Sequence, residues 1–128
     1  MPTILLVESD PLQALLRKSS LESELCDVYR ASDAAEALCL VEQPEFTADL
    51  ALVISGQHIG GIGGPEFVAE LHLRLPELRV LVLDSGTDCA TDYERNRVHF
   101  LSNPFTNRLM VAHARQMLVE EQRARSAA

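Results

Sequence analysis

The sequence predicts a doubly wound α/β fold, in which helices cover both faces of a parallel β-sheet. Short continuous apolar runs, typical of strands buried on both faces, alternate about five times with amphipathic stretches. That order favours parallel pairing, because each parallel connection needs a crossover, usually a helix. No Gly/Ser-rich linker, internal repeat or low-complexity block divides the 128 residues, which are enough for one hydrophobic core.

The first unit of this pattern is a strand over Thr3–Val7 followed by a helix. Asp10 provides an N-cap, and Pro11 suits the first helical position, where no backbone N–H is needed. Leucines spaced i, i+3, i+4 then predict the core-facing stripe of the helix: Leu12, Leu15 and Leu16.

The second unit combines a short strand over 28–31 with a helix that begins near Asp33. Asp33 and Glu36 have the spacing of a capping box, which marks a helix N-terminus. The predicted buried face of this helix comprises Ala34, Ala37, Leu38 and Val41. A further apolar run over 50–54 predicts the third strand.

The second half of the chain continues the alternation. Pro65 opens a helix whose apolar face comprises Phe67, Val68, Leu71 and Leu75. Apolar runs over Arg79–Leu83 and Val98–Leu101 predict the fourth and fifth strands. A last helix follows Phe105, with an apolar face formed by Met110, Ala114, Met117 and Leu118.

Composition restricts the classes of function. The net charge of −8 argues against direct nucleic-acid binding, which depends on phosphate neutralisation by Lys and Arg. No apolar run is long enough to cross a bilayer, and the N-terminus lacks the basic segment and cleavage site of a signal peptide. These features predict a cytoplasmic protein. Cys26, Cys39 and Cys89 have no metal-ligand or redox spacing and suit a reducing compartment.

The topology indicates where a functional site would lie. In doubly wound folds the functional crevice lies beyond the carboxyl ends of the strands. The residues that follow the predicted strands at this edge are Glu8, Ser9, Asp10, Ser55, Gly56, Asp84, Ser85, Gly86, Ser102 and Asn103.

Four segments, in order and covering essentially the whole chain, resemble the receiver domains of two-component response regulators. Residues 4–11 (ILLVESDP) resemble that family's first strand and acidic loop, and residues 53–67 (VISGQHIGGIGGPEF) its third strand and following turn. Residues 80–86 (VLVLDSG) are similar to its fourth strand, and residues 100–105 (FLSNPF) to its F-L-x-K-P-F segment. The resemblance implies a CheY-like, flavodoxin-like (βα)5 fold with strand order 2-1-3-4-5. The receiver-like domain would span residues 1–122, and residues 123–128 would form a frayed tail.

The same alignment implies that the chemistry of the family is lost. Gly56 stands where the family has its phospho-acceptor aspartate, and glycine has no oxygen to attack phosphorus. The acidic metal pocket is reduced to Glu8, Ser9 and Asp10, so that magnesium binding should be weak or absent. Asn103 replaces the lysine that contacts the phosphoryl group, and a neutral amide cannot supply its point charge.

Three further positions match the family pattern, and one segment differs from it in length. Ser85 and Phe100 match the switch Ser/Thr and the switch aromatic, and Pro104 stands where the family has a cis-proline. The stretch between Ser85 and Asn103 is about one helical turn shorter than in typical receivers. We therefore expect the fourth helix of the family to be short or distorted here, which would alter a surface that receivers often use for dimerisation.

These features predict an atypical receiver domain that is not an enzyme and acts as a phosphorylation-independent protein-interaction module. Its expected partner is a histidine kinase, a phosphotransfer protein or another regulator, and a homodimer is a further option. One alternative is a working phosphorelay receiver with an unconventional acceptor, Ser55 or Asp84. Another is a flavodoxin-like sensor that binds a small anion at the glycine-rich segment 56–64.

Overall fold

The computed structural model describes residues 2–56, 59, 61–83, 97–102 and 104–127. Within these residues, five parallel strands form one sheet of order β2-β1-β3-β4-β5, as predicted. The strands are β1 (Thr3–Val7), β2 (Asp27–Ala31), β3 (Leu50–Gly56), β4 (Arg79–Leu83) and β5 (Val98–Leu101). All five agree closely with the predicted strands. In the three inner strands, β1, β3 and β4, the agreement follows from burial on both faces, which requires an almost entirely apolar sequence.

Helices connect the strands and pack on both faces of the sheet. They are α1 (Pro11–Glu24), α2 (Ala34–Val41), α3 (Pro44–Thr47), α4 (Gly64–Arg74) and α5 (Asn107–Ala127). The short α3 was not predicted from the sequence. The short or distorted helix that we expect between Ser85 and Asn103 lies outside the described residues.

The hydrophobic core consists of two layers separated by the sheet. Along β1, Leu5 and Val7 contribute to the layer under α2 and α4, whereas Ile4 and Leu6 contribute to the layer under α1 and α5. This division follows from the alternation of side chains along a strand. Every residue of β3 is buried, because this strand lies in the centre of the sheet.

The orientation of α1 differs from the prediction. Ala14, Arg17 and Leu21 are buried, whereas the three leucines predicted to face the core are exposed. The exposed fractions are 64% for Leu12, 64% for Leu15 and 48% for Leu16. The i, i+3, i+4 spacing identified the helix correctly but selected the wrong face. The inward face consists instead of Ala14, Arg17 and Leu21, and so includes a charged residue.

α5 continues to Ala127, so residues 123–127, which the sequence assigns to the tail, are helical. Two arginines hold this end of the helix to the sheet. Arg79 on β4 pairs with Glu120 at 3.4 Å and with Glu121 at 3.5 Å. Arg125 pairs with Glu121 at 3.2 Å and donates a hydrogen bond to the backbone oxygen of Leu50 at 3.0 Å. Sequence periodicity alone does not reveal such long-range contacts. Among the described residues, no helix has the length and apolar character needed to traverse a membrane.

Candidate functional site at the carboxyl edge of the sheet

Strand register brings the β1–α1 loop and Gly56 to the same edge of the sheet. Val7, the last residue of β1, pairs with Ser55, and Gly56, the last residue of β3, pairs with Leu83. Glu8 therefore begins its loop beside the end of β3. This is the edge at which doubly wound folds place their sites.

Gly56 occupies a buried position with room for a side chain. A Cβ atom built there would lie 3.8 Å from the nearest neighbouring atom, Cγ2 of Ile59, which is an ordinary van der Waals contact. By strand alternation this Cβ lies on the same side of β3 as the side chain of Ile54, at the carboxyl end of the strand. Among the described residues, the position therefore accommodates a Cβ, and glycine supplies no side-chain nucleophile there.

Ser55 is positioned differently from Gly56. It is only 1% exposed, and its Oγ donates a hydrogen bond to the backbone oxygen of Gly56 at 3.0 Å. It alternates with Ile54 and therefore points to the opposite face of the sheet. The hydroxyl closest in sequence to the acceptor position is thus buried and already hydrogen-bonded.

Both carboxylate oxygens of Glu8 are engaged within the protein. Oε1 forms an ion pair with the guanidinium of Arg17, and Oε2 accepts a hydrogen bond from the backbone N–H of Asp10 at 3.1 Å. The side chains of Glu8 and Arg17 are 12% and 8% exposed. The acidic residue retained at the end of β1 is therefore neutralised from inside the fold.

Asp10 acts as the N-cap of α1, as the sequence indicates. One of its carboxylate oxygens accepts hydrogen bonds from the backbone N–H groups of Leu12 at 2.9 Å and Gln13 at 3.3 Å. These bonds satisfy donors that have no partner within the helix. The cap also fixes where the helix begins.

Arg17 lies on the inward face of α1, one turn after Ala14. Its guanidinium carbon is 5.5 Å from the centre of the Phe105 ring, within range of a cation–π interaction. Phe105 in turn packs against the core layer under α1 and α5. Arg17 thus connects the end of β1 with the segment that precedes α5.

Arg30 fixes the backbone of the same loop from the other side. From β2 it donates hydrogen bonds to the backbone oxygen of Glu8 at 3.1 and 3.0 Å, and to that of Ser9 at 3.4 Å. Sequence reasoning missed both Arg17 and Arg30. For Arg17 the available signal was its spacing of four residues from Leu21, which places both side chains on one face of the helix. No feature of the sequence marked Arg30.

The donor set does not fit a magnesium ion. The family resemblance implies such an ion, which takes carboxylate oxygens in octahedral geometry. Here the Glu8 carboxylate is paired with a guanidinium, the Asp10 carboxylate caps a helix, and Gly56 contributes no ligand. Across the described part of the chain, no three His, Cys, Asp or Glu residues are grouped in a way that could hold a metal.

The remaining predicted positions are only partly described. Ser85 and Asn103 lie outside the described residues, as do Asp84 and Gly86. Phe100 is half-buried on β5 and packs against the layer under α2 and α4. Pro104 and Ser102 are exposed. The isomer of the bond before Pro104 is not described, so the cis-proline remains a prediction.

Comparison with known proteins identifies the fold. No protein-family model and no curated protein matches the sequence. Solved structures do match, among them the signal receiver domain of an HD domain-containing protein from Pseudomonas fluorescens Pf-5. Its TM-score is 0.83 and its identity 24%, and the match covers 99% of this chain and 93% of that one.

Two further structures give the same result. A response regulator receiver domain protein from Clostridium thermocellum has a TM-score of 0.82 at 17% identity, covering 95% of this chain and 98% of the other. A CheY-like receiver domain protein from Methanospirillum hungatei JF-1 has a TM-score of 0.81 at 18% identity, covering 97% and 98%. The chain therefore has the CheY-like, flavodoxin-like fold that the resemblance implied.

Proposed function

We propose that this chain is a receiver domain of two-component signalling that works by protein interaction and without phosphoryl transfer. The observation that carries the proposal is the buried Gly56 at the end of β3. An acyl phosphate requires a carboxylate oxygen as nucleophile, and this position supplies none. The receiver fold, shared over nearly the full length of the matching structures, supports the signalling context.

An unconventional acceptor is not favoured by the described residues. Ser55 points away from the Gly56 side of the sheet and is almost completely buried. A phosphoryl donor would have to open the sheet edge to reach its hydroxyl. Asp84 and Ser85 lie outside the described residues. For the second alternative, an anion sensor at residues 56–64, the described part of the segment offers no supporting observation.

A protein-interaction role is supported by the outward face of α1. Leu12, Leu15 and Leu16 form an exposed apolar stripe at the end of the helix nearest the candidate site. Ser19 and Ser23 continue the stripe without charge, and the flanking Lys18 and Glu22 pair with each other at 3.9 Å. An exposed apolar stripe with helical spacing is typical of surfaces that bind an amphipathic helix. We propose such a helix of a kinase, a phosphotransfer protein or another regulator as the partner.

The absence of phosphoryl transfer is tested with acetyl phosphate and magnesium, followed by intact-mass measurement. We expect no phosphoryl adduct on the wild-type chain. A conventional receiver with its aspartate intact provides the positive control for the reagent. A stoichiometric adduct on the wild-type chain, mapped to any residue, would overturn the proposal.

The partner surface is tested by placing a photo-crosslinking residue at Leu15 and, as a matched control, at Leu73. Leu73 is also an exposed leucine, at 76%, but it lies on α4. We expect crosslinks from position 15 to an amphipathic helical segment of another protein, identified by peptide mass spectrometry, and none from position 73. Crosslinks to a second copy of this chain, or equal yields at both positions, would contradict the proposed partner.

A further inference from the structure

A buried cation lies where the inward face of α1 meets the end of β1. Arg17 is only 6% exposed, between the buried apolar residues Ala14 and Leu21. A charged side chain in such a position is unfavourable unless an opposite charge compensates it. Leucine or methionine would fill the same inward position without that cost. Among the described residues, an acidic side chain that Arg17 contacts supplies this compensation.

That residue is Glu8, the acid retained from the pocket that the family resemblance assigns to a metal ion. The guanidinium contacts Oε1 of Glu8, and the backbone N–H of Asp10 occupies Oε2 at 3.1 Å. One carboxylate and one guanidinium leave the pair without net charge. A divalent cation at Glu8 would have to approach a positive group at close range, which Coulomb repulsion disfavours.

We propose that the guanidinium of Arg17 is the resident cation of this site, in the place on Glu8 that a divalent ion would otherwise take. Arg17 is a positioning residue, because it fixes Glu8 and, through Phe105, the start of the α5 segment. Arg30 fixes the backbone of the same loop at Glu8 and Ser9. The β1–α1 loop therefore keeps one arrangement at any concentration of divalent cations. This inference rests on the proposed function, since it concerns the same site.

The inference predicts that removing the guanidinium frees a divalent site. The test measures thermal unfolding of the full chain with increasing Mg²⁺ or Mn²⁺. Because one carboxylate is too few ligands for a divalent ion, the parent chain carries Ser9→Asp and Gly56→Asp, and it is compared with the same chain bearing Arg17→Met or Arg115→Met. Arg115 is the matched control, because it pairs with Glu24 at 3.5 Å on the exposed surface. We expect Arg17→Met to gain several degrees at millimolar divalent ion, because a ligand that binds the folded state stabilises it. The parent chain and its Arg115→Met variant should show no such gain.

Two further variants make the test decisive. Arg17→Met with Glu8→Gln should lose the divalent response, because the released carboxylate is then absent. Arg17→Lys retains the positive charge and should show no divalent response. If Arg17→Met unfolds in the absence of ions, millimolar Mg²⁺ should restore its circular dichroism spectrum.

The inference is overturned if Arg17→Met shows no divalent response, whether it is folded or unfolded without ions. It is also overturned if the parent chain, with Arg17 in place, gains the same stability as its Arg17→Met variant. Because the readout is stability, it can fail separately from the acetyl-phosphate experiment. A phosphoryl adduct on wild type would refute the proposed function, whereas a missing divalent response would refute the role of Arg17.

Discussion

Arg17 and Glu8 form an ion pair inside the fold, between the inward face of α1 and the end of β1. The pair joins α1 to the loop between β1 and α1. Removing either partner alone leaves a charge in a poorly solvated place, whereas an exposed pair loses little when it is broken. This difference gives the first prediction.

Glu8→Gln should destabilise the protein far more than Glu24→Gln. We expect a loss of about 3–5 kcal/mol for Glu8→Gln, because the buried Arg17 charge loses its partner. The exposed Glu24–Arg115 pair should contribute about 0–1 kcal/mol. Urea unfolding followed by circular dichroism measures both values. Equal losses for the two variants would show that the Arg17–Glu8 pair is not effectively buried.

Gly56→Asp alone should not restore efficient phosphorylation. Among the described residues, a Cβ at this position would have Ile59 as its nearest neighbour, at 3.8 Å, so we expect the variant to remain folded. The metal remains poorly held, because Arg17 occupies Glu8 and Ser9 offers no carboxylate. We expect intact-mass analysis after treatment with acetyl phosphate and magnesium to show little or no adduct.

The matched variant for that experiment combines Gly56→Asp with Ser9→Asp, Asn103→Lys and Arg17→Met. It should be labelled much faster than Gly56→Asp. Rapid labelling of the single variant would show that the pocket still binds metal and phosphate well.

Arg97 is the one described non-glycine residue with a positive φ, at 58°. This left-handed conformation costs an L-residue with a Cβ about 1–2 kcal/mol relative to glycine. Arg97 also pairs with Glu77 at 2.7 Å. A glycine and an alanine variant both lose this ion pair, so the difference between them reports the backbone conformation alone. Arg97→Gly should therefore be more stable than Arg97→Ala by about 1 kcal/mol in urea unfolding. An alanine variant as stable as the glycine variant would argue against the left-handed backbone.

The two described cysteines should differ in reactivity. Burial raises the pKa of the Cys26 thiol, and the negative charges of Asp27 and Glu22 raise it further. Cys39 is exposed. Because the thiolate is the reactive form, Cys39 should be alkylated by iodoacetamide faster than Cys26 at neutral pH. Peptide mapping over a time course measures both rates.

The cause of the Cys26 shift can be tested separately. Asp27→Asn removes one negative charge near the thiol, so the pKa should fall and alkylation of Cys26 should accelerate. Cys39 provides the internal control, because its rate should stay constant. An unchanged Cys26 rate would show that the charge of Asp27 does not contribute to the raised pKa.

Much of the site could be anticipated from local sequence patterns. The run Ile4-Leu5-Leu6-Val7 predicted β1, and the acidic residues after it marked the edge where a site would lie. Asp10 was correctly identified as the cap of α1. Gly56 was found by its position in a family-like segment, and the structure places it at the end of the central strand. These features depend on neighbouring residues, which a sequence displays directly.

The face that α1 presents to the sheet could not be predicted in the same way. Its leucines satisfy a helical stripe, yet the helix turns Arg17 inward and Leu15 outward. On the inward face Leu21 packs into the core, and Arg17 contacts Glu8 and Phe105. Periodicity shows which residues share one face of a helix, but it does not show which face packs against the sheet.

Local sequence patterns and the identity of one residue were enough to predict the doubly wound fold, the strand positions and the lack of a side-chain oxygen at Gly56. The packed fold was needed to show that Arg17 pairs with Glu8, that leucines of α1 remain exposed, and that Arg125 holds the end of α5. These outcomes depend on contacts between residues distant in the chain, whose energies appear only when the elements pack together.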